Sequence, residues 1–390
     1  MGKVYRGAQR MRDIAPFHVM EIQKRARALE DQGRDIVHLE IGEPDFPTPQ
    51  PVIDAGKRAL DAGRIAYTPA LGIPELRQAI AGFLSQRYGI SLAPERVVVT
   101  AGSSAALLLA FAATVDRDAE ILMPDPCYPC NRHFLQIIGS RARLIGVDAD
   151  THFQPTARLL EQHWTGRTAG VLLASPANPT GMLVPDPELR AMLALVQARG
   201  GIAFVDEIYH GLTYQGTPPT ALACDEDAYV IGSFSKYFNM TGWRLGWLVA
   251  PEDGVRDIEK LAQNLFICPS QPAQLAALAA LEPETIAIAE ARRDELRQRR
   301  DYLVPALRRL GFGVPVVPDG AFYVYADCSA LAPDSTAFAL RILEEAGVAV
   351  TPGIDFGTCN ADRYVRFAYT QPIARLEEAI ARIGRLVRQR

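Results

Sequence analysis

Short apolar runs alternate with longer segments of helical periodicity between Arg96 and Val249, and this alternation restricts the fold more than any other feature of the sequence. The runs are four or five residues long and rich in Val, Ile and Leu, which is typical of strands buried on both faces. Strands that alternate with helices form parallel or mostly parallel sheets covered by helices, so we predict an α/β fold. The predicted strands are 97–100, 120–123, 171–174, 202–205, 228–232 and 245–249.

The length of the chain predicts more than one domain, because 390 residues are too many for one simple core. The predicted strands lie within residues 45–283, which we assign to a large domain. Residues 284–390 begin with a long charged helix and continue with a few strands and helices, so we assign them to a small C-terminal α+β domain. Residues 1–44 are predicted to form an N-terminal arm, extended over its first fifteen residues, and part of the small domain.

The composition excludes several classes of protein. It is that of an ordinary globular chain, with 48% hydrophobic and 22% charged residues. The formal net charge of −4, with Lys and Arg dispersed, gives no basic patch for nucleic acid or an anionic membrane. No apolar run reaches about eighteen residues, and the first residues lack the apolar core of a secretion signal. We therefore expect a cytoplasmic protein without nucleic acid or membrane partners.

Six scattered cysteines favour reduced thiols over disulfides. Cys127 and Cys130 form a Cys-x-x-Cys pair with His133 three residues later, so a redox pair or a metal site is an alternative. No second pair of this kind accompanies it, and the two cysteines lie in a proline-rich loop. We interpret them as structural thiols and expect no metal.

A stretch of residues after the predicted strand 228–232 has the composition of a reactive site. It runs over 233–247 with the sequence SFSKYFNMTGWRLGW. An amine in such apolar and aromatic surroundings loses its proton more readily, and a neutral lysine forms a Schiff base with an aldehyde. Ser233 and Arg244 flank Lys236 and are suited to bind an anion on the molecule that carries the aldehyde. The alternative is a lysine that extends to the surface beside a buried strand.

Three further polar residues follow predicted strands, at the sheet edge where open α/β sheets bind ligands. Asp206 could pair with a ring nitrogen and keep it protonated, which makes the ring a better electron sink, and Tyr209 could donate to a ring oxygen. Asn178 stands between two prolines and could donate to the same oxygen and to a carboxylate. The alternatives are an Asp206 that caps a following helix and an Asn178 that merely forms a turn.

Two other motifs are suited to anions. The turn Gly102-Ser103-Ser104 between a strand and a helix offers free N–H groups, hydroxyls and a helix N-terminus to a phosphate, although turns of this kind are common. Arg366 lies in the alternating strand YVRFAY and could bind a carboxylate with two parallel hydrogen bonds. The alternative is an ordinary solvated arginine on a strand.

The order and spacing of these motifs closely resemble the fold-type I enzymes that depend on pyridoxal phosphate, and specifically the class I and II aminotransferases. The resemblance extends from the loop at Gly42 to Arg366. It implies a large domain with a mixed, mostly parallel sheet between helices and a smaller α+β domain. The matching motifs are 67–77 (YTPALGIPELR), 100–104 (TAGSS), 175–181 (SPANPTG), 206–209 (DEIY), 233–236 (SFSK) with 242–244 (GWR), and 364–367 (YVRF).

The resemblance implies a role for each residue around the ring of pyridoxal 5'-phosphate. Lys236 holds this cofactor as a Schiff base and then carries the proton between the substrate α-carbon and the cofactor. Asp206 pairs with the ring nitrogen, Tyr209 and Asn178 donate to the ring oxygen, and Tyr128 stacks on the ring face.

The phosphate of the cofactor has its own set of residues in the resemblance. Ser103, Ser104, Ser233 and Arg244 hold it, and Tyr67 reaches it from the partner subunit. Each site is then shared by two subunits, so a homodimer is implied.

The substrate carboxylate is bound in the resemblance by Arg366, with help from Asn178 and the Gly42 backbone, and the bond between Asn178 and Pro179 is expected to be cis. One departure affects the substrate. Ser104 stands where the aspartate-specific branch with a similar glycine turn has a lysine for the distal carboxylate, which weakens a preference for dicarboxylic substrates.

The resulting interpretation is an aminotransferase that exchanges an amino group between an L-amino acid and a 2-oxo acid by a ping-pong mechanism. A neutral or aromatic side chain is favoured, although Asn131 replaces an aromatic residue of many relatives. A C–S lyase that performs β-elimination on the same scaffold is the nearest rival, and a non-catalytic cofactor-binding regulator is another. The part of the site that contacts the substrate side chain, called the side-chain wall below, is predicted to contain Phe17, Tyr128, Tyr325 and Phe356.

Overall fold

The structure is a computed structural model that describes residues 6–389. The predicted N-terminal arm therefore lies partly outside the described residues, which exclude residues 1–5. Its described part is not fully extended, because Gln9–Arg12 form one 3-10 turn. None of the described helices is long and apolar enough to cross a membrane.

The strands among the described residues are short, and most follow or precede a helix. They are β1 (Val37–His38), β2 (Val97–Thr100), β3 (Glu120–Asp125), β4 (Arg141–Gly146), β5 (Thr168–Ala174), β6 (Ile202–Asp206), β7 (Tyr229–Ser233), β8 (Gly246–Val249), β9 (Tyr323–Asp327), β10 (Val348–Ala349), β11 (Thr351–Pro352) and β12 (Tyr364–Ala368).

The α-helices are longer, and several begin with a proline in the first turn, where its missing N–H costs no hydrogen bond. They are α1 (His18–Glu30), α2 (Gln50–Asp61), α3 (Pro74–Tyr88), α4 (Ser103–Thr114), α5 (Cys130–Ile138), α6 (Ala157–His163), α7 (Asp186–Ala198), α8 (Glu252–Leu265), α9 (Gln271–Ala280), α10 (Pro283–Arg309), α11 (Ser335–Arg341) and α12 (Ile373–Arg388).

A seven-stranded mixed sheet organises the centre of the molecule, with the strand order β2-β8-β7-β6-β5-β3-β4. The pairs from β7 to β4 are parallel, and β8 runs antiparallel to both of its neighbours. The expectation of a mixed, mostly parallel sheet is therefore confirmed. The carboxyl ends of β5, β6 and β7 lie side by side at one edge, as parallel pairing requires.

Both faces of this sheet are covered by apolar packing. On β7, Val230 belongs to the cluster on one face and Ile231 to the cluster on the other, because successive side chains of a strand point in opposite directions. The face of Ile231 packs against α4, whose Leu109 and Phe111 are fully buried. Burial on both faces explains why the strands read as continuous apolar runs.

Two smaller sheets lie outside the central one. Strands β11, β12 and β9 form an antiparallel sheet in which Arg366 pairs with Thr351 on one side and Tyr325 on the other. Strands β1 and β10 form a parallel pair of two residues each. The alternating segment 35–41 (DIVHLEI) indicates a longer strand, but only β1 forms within it, because β10 offers two partners. The division of the chain into residues 1–44, 45–283 and 284–390 stays a prediction.

Candidate active site

A cavity of about 270 Å³ lies at the carboxyl ends of the parallel strands. Its walls come from the loops after β5, β6 and β7, from the turn before α4, and from β9 and β12. Most of the site residues predicted from the sequence line it, namely Gly42, Ser103, Ser104, Tyr128, Asn178, Asp206, Tyr209, Lys236, Arg244 and Arg366.

Lys236 extends into this cavity from the loop after β7. Its Nζ donates to the carbonyl oxygen of Gly42 at 2.8 Å and lies 5.8 Å from the ring centroid of Phe322. Burial lowers the pKa of Lys236 to about 8. The alternative of a lysine that reaches the surface is therefore wrong, and a usable fraction of the amine is neutral near pH 7.

Asp206 ends β6 and faces the same cavity, with only 6% of its surface exposed. Its Oδ1 accepts a hydrogen bond from the backbone N–H of Ile208 at 3.1 Å, and its other oxygen has no hydrogen-bond partner among residues 6–389. No α-helix begins after β6 until α8, so the helix-capping alternative is wrong. Burial raises the pKa of Asp206 to about 7, and a cation beside the unpartnered oxygen would lower it again.

Tyr209 is held against Tyr323, a cavity residue that the sequence reasoning missed. Their hydroxyl oxygens are 2.9 Å apart, and their rings meet edge to face with centroids 5.8 Å apart. Burial raises the pKa of the Tyr209 hydroxyl well above its usual value, so it stays protonated and can donate. The Tyr323 hydroxyl also packs closely against Gly42. A Cβ at position 42 would lie 2.1 Å from the Tyr323 hydroxyl oxygen, so only glycine fits there.

Arg366 is buried in the cavity wall, with 3% of its surface exposed, so it is not a solvated strand arginine. Its Nη1 donates to Asn178 Oδ1 at 2.9 Å, and its Nη2 donates to the carbonyl oxygen of Glu40. The guanidinium stacks between two rings, 4.4 Å from the centroid of Tyr323 and 4.8 Å from that of Phe356. This packing holds the planar fork in one orientation, which suits a carboxylate.

The turn before α4 packs tightly against Arg244. Gly102 has a φ of +83°, and a Cβ on it would lie 2.6 Å from Arg244 Nη2. Arg244 itself has a φ of 52°, which is uncommon for a residue other than glycine and tends to occur at functional sites. Ser103 begins α4, so its first N–H groups and the Arg244 guanidinium meet at one corner of the cavity. That corner can bind a phosphate.

Comparisons with known proteins agree on one family. A family model described as aminotransferase class I and II matches residues 34–383. A valine–pyruvate aminotransferase of Mycobacterium tuberculosis is 42% identical over 373 residues, 95% of this chain and 96% of that protein. A (5-formylfuran-3-yl)methyl phosphate transaminase of Methanocaldococcus jannaschii is 35% identical, over 96% of this chain and 98% of that protein. The crystal structure of an aminotransferase from Mycobacterium tuberculosis superimposes with a TM-score of 0.95 at 41% identity, over 99% of this chain and 100% of that chain.

This chain belongs to the class I and II aminotransferases.

The fold of this aminotransferase is the fold-type I α/β architecture that the sequence motifs implied. The family match spans the seven-stranded sheet and the smaller sheets, so it includes both Lys236 and Arg366. Relatives that match over nearly their whole length are named as aminotransferases, which excludes the rival interpretation as a non-catalytic regulator.

Two of the predicted site residues of the aminotransferase do not line the cavity within the single chain. The Oγ of Ser233 accepts a hydrogen bond from the backbone N–H of Ser235 at 3.0 Å, and Ser235 lines the cavity instead. Ser233 keeps its own proton for donation, so its assignment to the phosphate stays a prediction. Tyr67 lies on the surface with 81% of its area exposed, which is compatible with a role in a second subunit.

The side-chain wall of the aminotransferase differs from the expected one. Phe17 and Tyr128 line the cavity and meet edge to face with centroids 6.0 Å apart. Tyr325 stacks on Tyr364 and does not line the cavity, and Phe356 lies behind Arg366, so these two wall predictions are wrong. The wall residues that the sequence reasoning missed are Val19, Met20 and Gln23 on α1, with Ile41 and Tyr323.

Two further expectations concern the backbone and the thiols. The bond between Asn178 and Pro179 is cis, as expected. Cys127 is buried, and burial raises its pKa to about 12, while burial also raises the pKa of Cys130. Thiols in such surroundings are poor nucleophiles, which argues against the redox alternative.

Proposed function

We propose that the protein is an aminotransferase that uses pyridoxal 5'-phosphate to exchange an amino group between a neutral L-amino acid and a 2-oxo acid by a ping-pong mechanism. One observation carries the proposal. The amine of Lys236, whose pKa burial lowers to about 8, shares a single cavity with the Asp206 carboxylate and the Arg366 guanidinium. An amine, an acid for a ring nitrogen and a carboxylate receptor are the groups that transamination requires of the protein.

The residues of the cavity fit the proposed cofactor. When bound, it supplies an aldehyde carbon and an electron-withdrawing ring that stabilises negative charge on the substrate α-carbon. The unpartnered oxygen of Asp206 can accept from a protonated ring nitrogen, and the protonated Tyr209 hydroxyl can donate to a ring oxygen. Asn178 can donate to that oxygen through its amide, and Tyr128 in the cavity wall can stack on the ring.

The corner at α4 fits the phosphate of the cofactor. The first N–H groups of α4, the hydroxyls of Ser103 and Ser104 and the Arg244 guanidinium supply donors and positive charge there. The close approach of Gly102 to Arg244 supports a built cradle rather than an open surface, because a single Cβ would fill it. Ser233 is the fourth side chain in this proposal.

The proton transfer falls to Lys236 in this proposal. When it is free, its Nζ would take a proton from the substrate α-carbon and return it, while the cofactor would supply the electron sink. The carbonyl oxygen of Gly42 accepts from Nζ at 2.8 Å and can hold the amine while it is free. A pKa of about 8 suits this task, because the amine can both take and return a proton near neutral pH.

The substrate is held by its carboxylate, and its side chain meets a mostly apolar wall. We assign the carboxylate to Arg366, assisted by Asn178 and the Gly42 backbone. Phe17 and Met20 give that wall its apolar character, and Ser104 provides no cation for a distal carboxylate. The relative at 42% identity is named for valine and pyruvate, whose side chains are both neutral.

We also propose that two copies of the chain share each site, with Tyr67 contributing to the phosphate site of the partner subunit. Apolar side chains that are at least 38% exposed lie close in sequence to Tyr67 and at the carboxyl end of α8 and just beyond it. Ile267 among them has a φ of 65°, which is strained for a β-branched residue. An exposed apolar surface of this kind is typical of subunit interfaces. The cluster consists of Leu60, Ile65, Tyr67, Leu265, Phe266 and Ile267.

The proposed domain division assigns the cavity residues to three parts of the chain. Lys236 and Asp206 belong to residues 45–283, Arg366 belongs to residues 284–390, and Phe17 belongs to residues 1–44. Catalysis would then require all three parts together. The cytoplasm is the proposed compartment because all six cysteines are free thiols.

A single-turnover spectrum tests the proposed reaction. The purified holoenzyme, without any oxo acid, receives one amino acid at a time while the visible band of the bound cofactor is followed. Valine is expected to abolish this band by converting the cofactor to its amine form, and a 2-oxo acid is expected to restore the band. A band that persists while ammonia and pyruvate form from a cysteine conjugate would identify the rival C–S lyase instead.

The Lys236→Ala variant provides the matching loss of function. It is expected to bind pyridoxal phosphate without a covalent bond and to lose transamination by several orders of magnitude. Lys260→Ala is the control, because Lys260 is exposed and its Nζ donates to Asp257, outside the cavity lining. Near-normal turnover in Lys236→Ala would overturn the assignment of the reactive amine.

A further inference from the structure

The segment that displays Tyr67 has an unusual main chain. Residues 63–67 follow α2 without regular structure, and all of them are exposed. Within residues 64–68, no main-chain group is hydrogen bonded to another main-chain group of the described chain. A segment of this kind has many conformations of similar energy unless side chains fix it. Tyr67 would then present its hydroxyl in no defined place.

Two glutamines of α9 supply the missing contacts, one on each side of Tyr67. Gln271 Oε1 accepts a hydrogen bond from the backbone N–H of Ala66 at 2.8 Å. Gln274 Nε2 donates to the Oγ1 of Thr68 at 3.0 Å. The residues directly before and after Tyr67 are thus tied to the first turn of one helix, while the Tyr67 side chain points to solvent.

Gln274 is itself rigidly placed. It is completely buried, and its amide makes three hydrogen bonds, including the one to Thr68. Oε1 accepts from the backbone N–H of Ile73 at 2.8 Å, and Nε2 donates its second proton to the carbonyl oxygen of Pro269 at 3.0 Å. A buried amide without partners would be costly, so these bonds hold together the chain before Ile73 and the chain before α9.

We propose that Gln271 and Gln274 are positioning residues that fix the Tyr67 hydroxyl for the cofactor phosphate bound in a second copy of the chain. This inference rests on the proposed function, because it needs the shared site and a cofactor phosphate. Without the two glutamines, Tyr67 would have to be ordered at the moment of binding, and its hydrogen bond would be weaker by that entropy. The glutamines touch neither substrate nor cofactor in this arrangement.

The test measures how fast pyridoxal phosphate leaves the holoenzyme during dialysis, read from the visible band of the bound cofactor. Tyr67→Phe removes one hydrogen bond to a charged group and is expected to speed this loss about tenfold. Gln271→Ala is expected to speed it about fivefold. Gln271→Glu keeps an acceptor for Ala66 and is expected to stay within about twofold of the natural protein.

The double variant decides whether Gln271 acts through Tyr67. If it does, Tyr67→Phe with Gln271→Ala loses the cofactor about as fast as Tyr67→Phe alone, because the effects of coupled residues do not multiply. Gln50→Ala is the control, since Gln50 also stands at the first position of a helix but contacts Asp54. Urea unfolding of each variant checks that the fold is retained, and Gln271 is chosen for truncation because it is only half-buried.

Two different results would overturn the inference in distinguishable ways. A normal rate of cofactor loss in Gln271→Ala, or a fiftyfold rate in the double variant, would show that the glutamines do not act through Tyr67, and the shared site would stand. A monomeric holoenzyme, or a normal rate in Tyr67→Phe, would overturn the shared site itself and the positioning role with it.

Discussion

The guanidinium of Arg366 donates from Nη1 to the Oδ1 of Asn178 at 2.9 Å, and this bond joins strand β12 to the loop after β5. Because arginine is only a donor, the bond fixes the orientation of the Asn178 amide. The two Nδ2 protons of Asn178 are then directed elsewhere, and no acceptor for them occurs among residues 6–389. One contact between two sheets therefore orients both the carboxylate receptor and the donor to the cofactor ring.

Replacement of Arg366 by lysine is expected to lower kcat/KM equally for the amino acid and for the 2-oxo acid. Lysine keeps the charge but loses the planar fork, the bond to Asn178 and the stacking on Tyr323. A lost charge-assisted hydrogen bond of roughly 1.5–3 kcal/mol predicts a fall in kcat/KM of about 100-fold, mostly through KM. Steady-state kinetics with the amino acid and the 2-oxo acid measure this.

The neighbouring Arg363 offers a matched control for that prediction. Its side chain is half exposed and pairs with Asp327 at 2.6 Å, outside the cavity lining. Arg363→Lys should therefore leave kcat/KM within about twofold, as expected for an exposed ion pair. Equal losses in the two variants would mean that Arg366 does not bind the substrate carboxylate.

The sequence alone was sufficient to predict which site residues at the ends of strands lie close together. Lys236, Asp206 and Asn178 each follow an apolar run, and parallel pairing brings the ends of such runs to one edge of the sheet. The position of these side chains is thus fixed by local pattern together with a general rule of topology. Arg366 was found through its motif, since nothing in the alternation of β12 alone distinguishes it from a solvated arginine.

The side-chain wall could not be predicted in the same way. Tyr323 and Tyr325 point to the same face of β9, but only Tyr323 reaches the cavity, because the two are separated by about 7 Å along the strand. The positions of Met20 and Gln23 in the wall depend on where α1 packs. That position is fixed in part by the distant Asp355, whose carboxylate accepts hydrogen bonds from the first N–H groups of α1. Contacts between residues more than 300 positions apart leave no periodic signal in a single sequence.

Introduction of a lysine at position 104 is expected to shift specificity toward dicarboxylic substrates. Ser104 lies in the cavity wall at the start of α4, and a cation there would attract a distal carboxylate. The ratio of kcat/KM for aspartate to that for valine is expected to rise about tenfold in Ser104→Lys. The ratio is the useful measure because any effect on the cofactor phosphate applies to both substrates.

Ser104→Met is the control for this prediction, since methionine adds length without charge. It should lower both values of kcat/KM but leave their ratio unchanged. A rise of the ratio in Ser104→Met as well would show that size, rather than charge, governs the selection.

Capture of pyridoxal phosphate by the cofactor-free protein is expected to depend on the protonation of Lys236. Only the neutral amine attacks the aldehyde, and a pKa of about 8 makes about one tenth of it neutral at pH 7. Stopped-flow rates should rise about tenfold from pH 6 to pH 7 and level off above pH 8. The negative charge of Glu43 raises the pKa of Lys236, so Glu43→Gln should move this midpoint to lower pH. An unchanged midpoint in Glu43→Gln, or a midpoint near pH 10, would contradict the assigned environment.

The stability of the protein is expected to fall at alkaline pH through His38. Its Nδ1 hydrogen bonds to the buried carboxylate of Glu40 at 2.8 Å, and this contact raises the pKa of His38 to about 9. A folded-state pKa above the unfolded value of 6.5 means that protonated His38 stabilises the fold below about pH 6.5. That contribution is lost as the pH rises through about 9. Because His38 is partly exposed, we expect it to amount to roughly 1–2 kcal/mol.

Urea unfolding between pH 6 and pH 9.5 measures this contribution as a difference between variants, because other groups also titrate at alkaline pH. His38→Gln keeps a donor for Glu40 but cannot titrate, so its stability should be lower at pH 6 and fall less steeply than that of the natural protein. His152→Asn is the control, because His152 is exposed and its replacement should leave the slope unchanged. Parallel curves for His38→Gln and the natural protein would show that the ion pair with Glu40 does not stabilise the fold. A flatter pH dependence confined to His38→Gln would place the alkaline limit of stability in the segment just after β1 that carries Glu40, whose carbonyl oxygen accepts from Arg366.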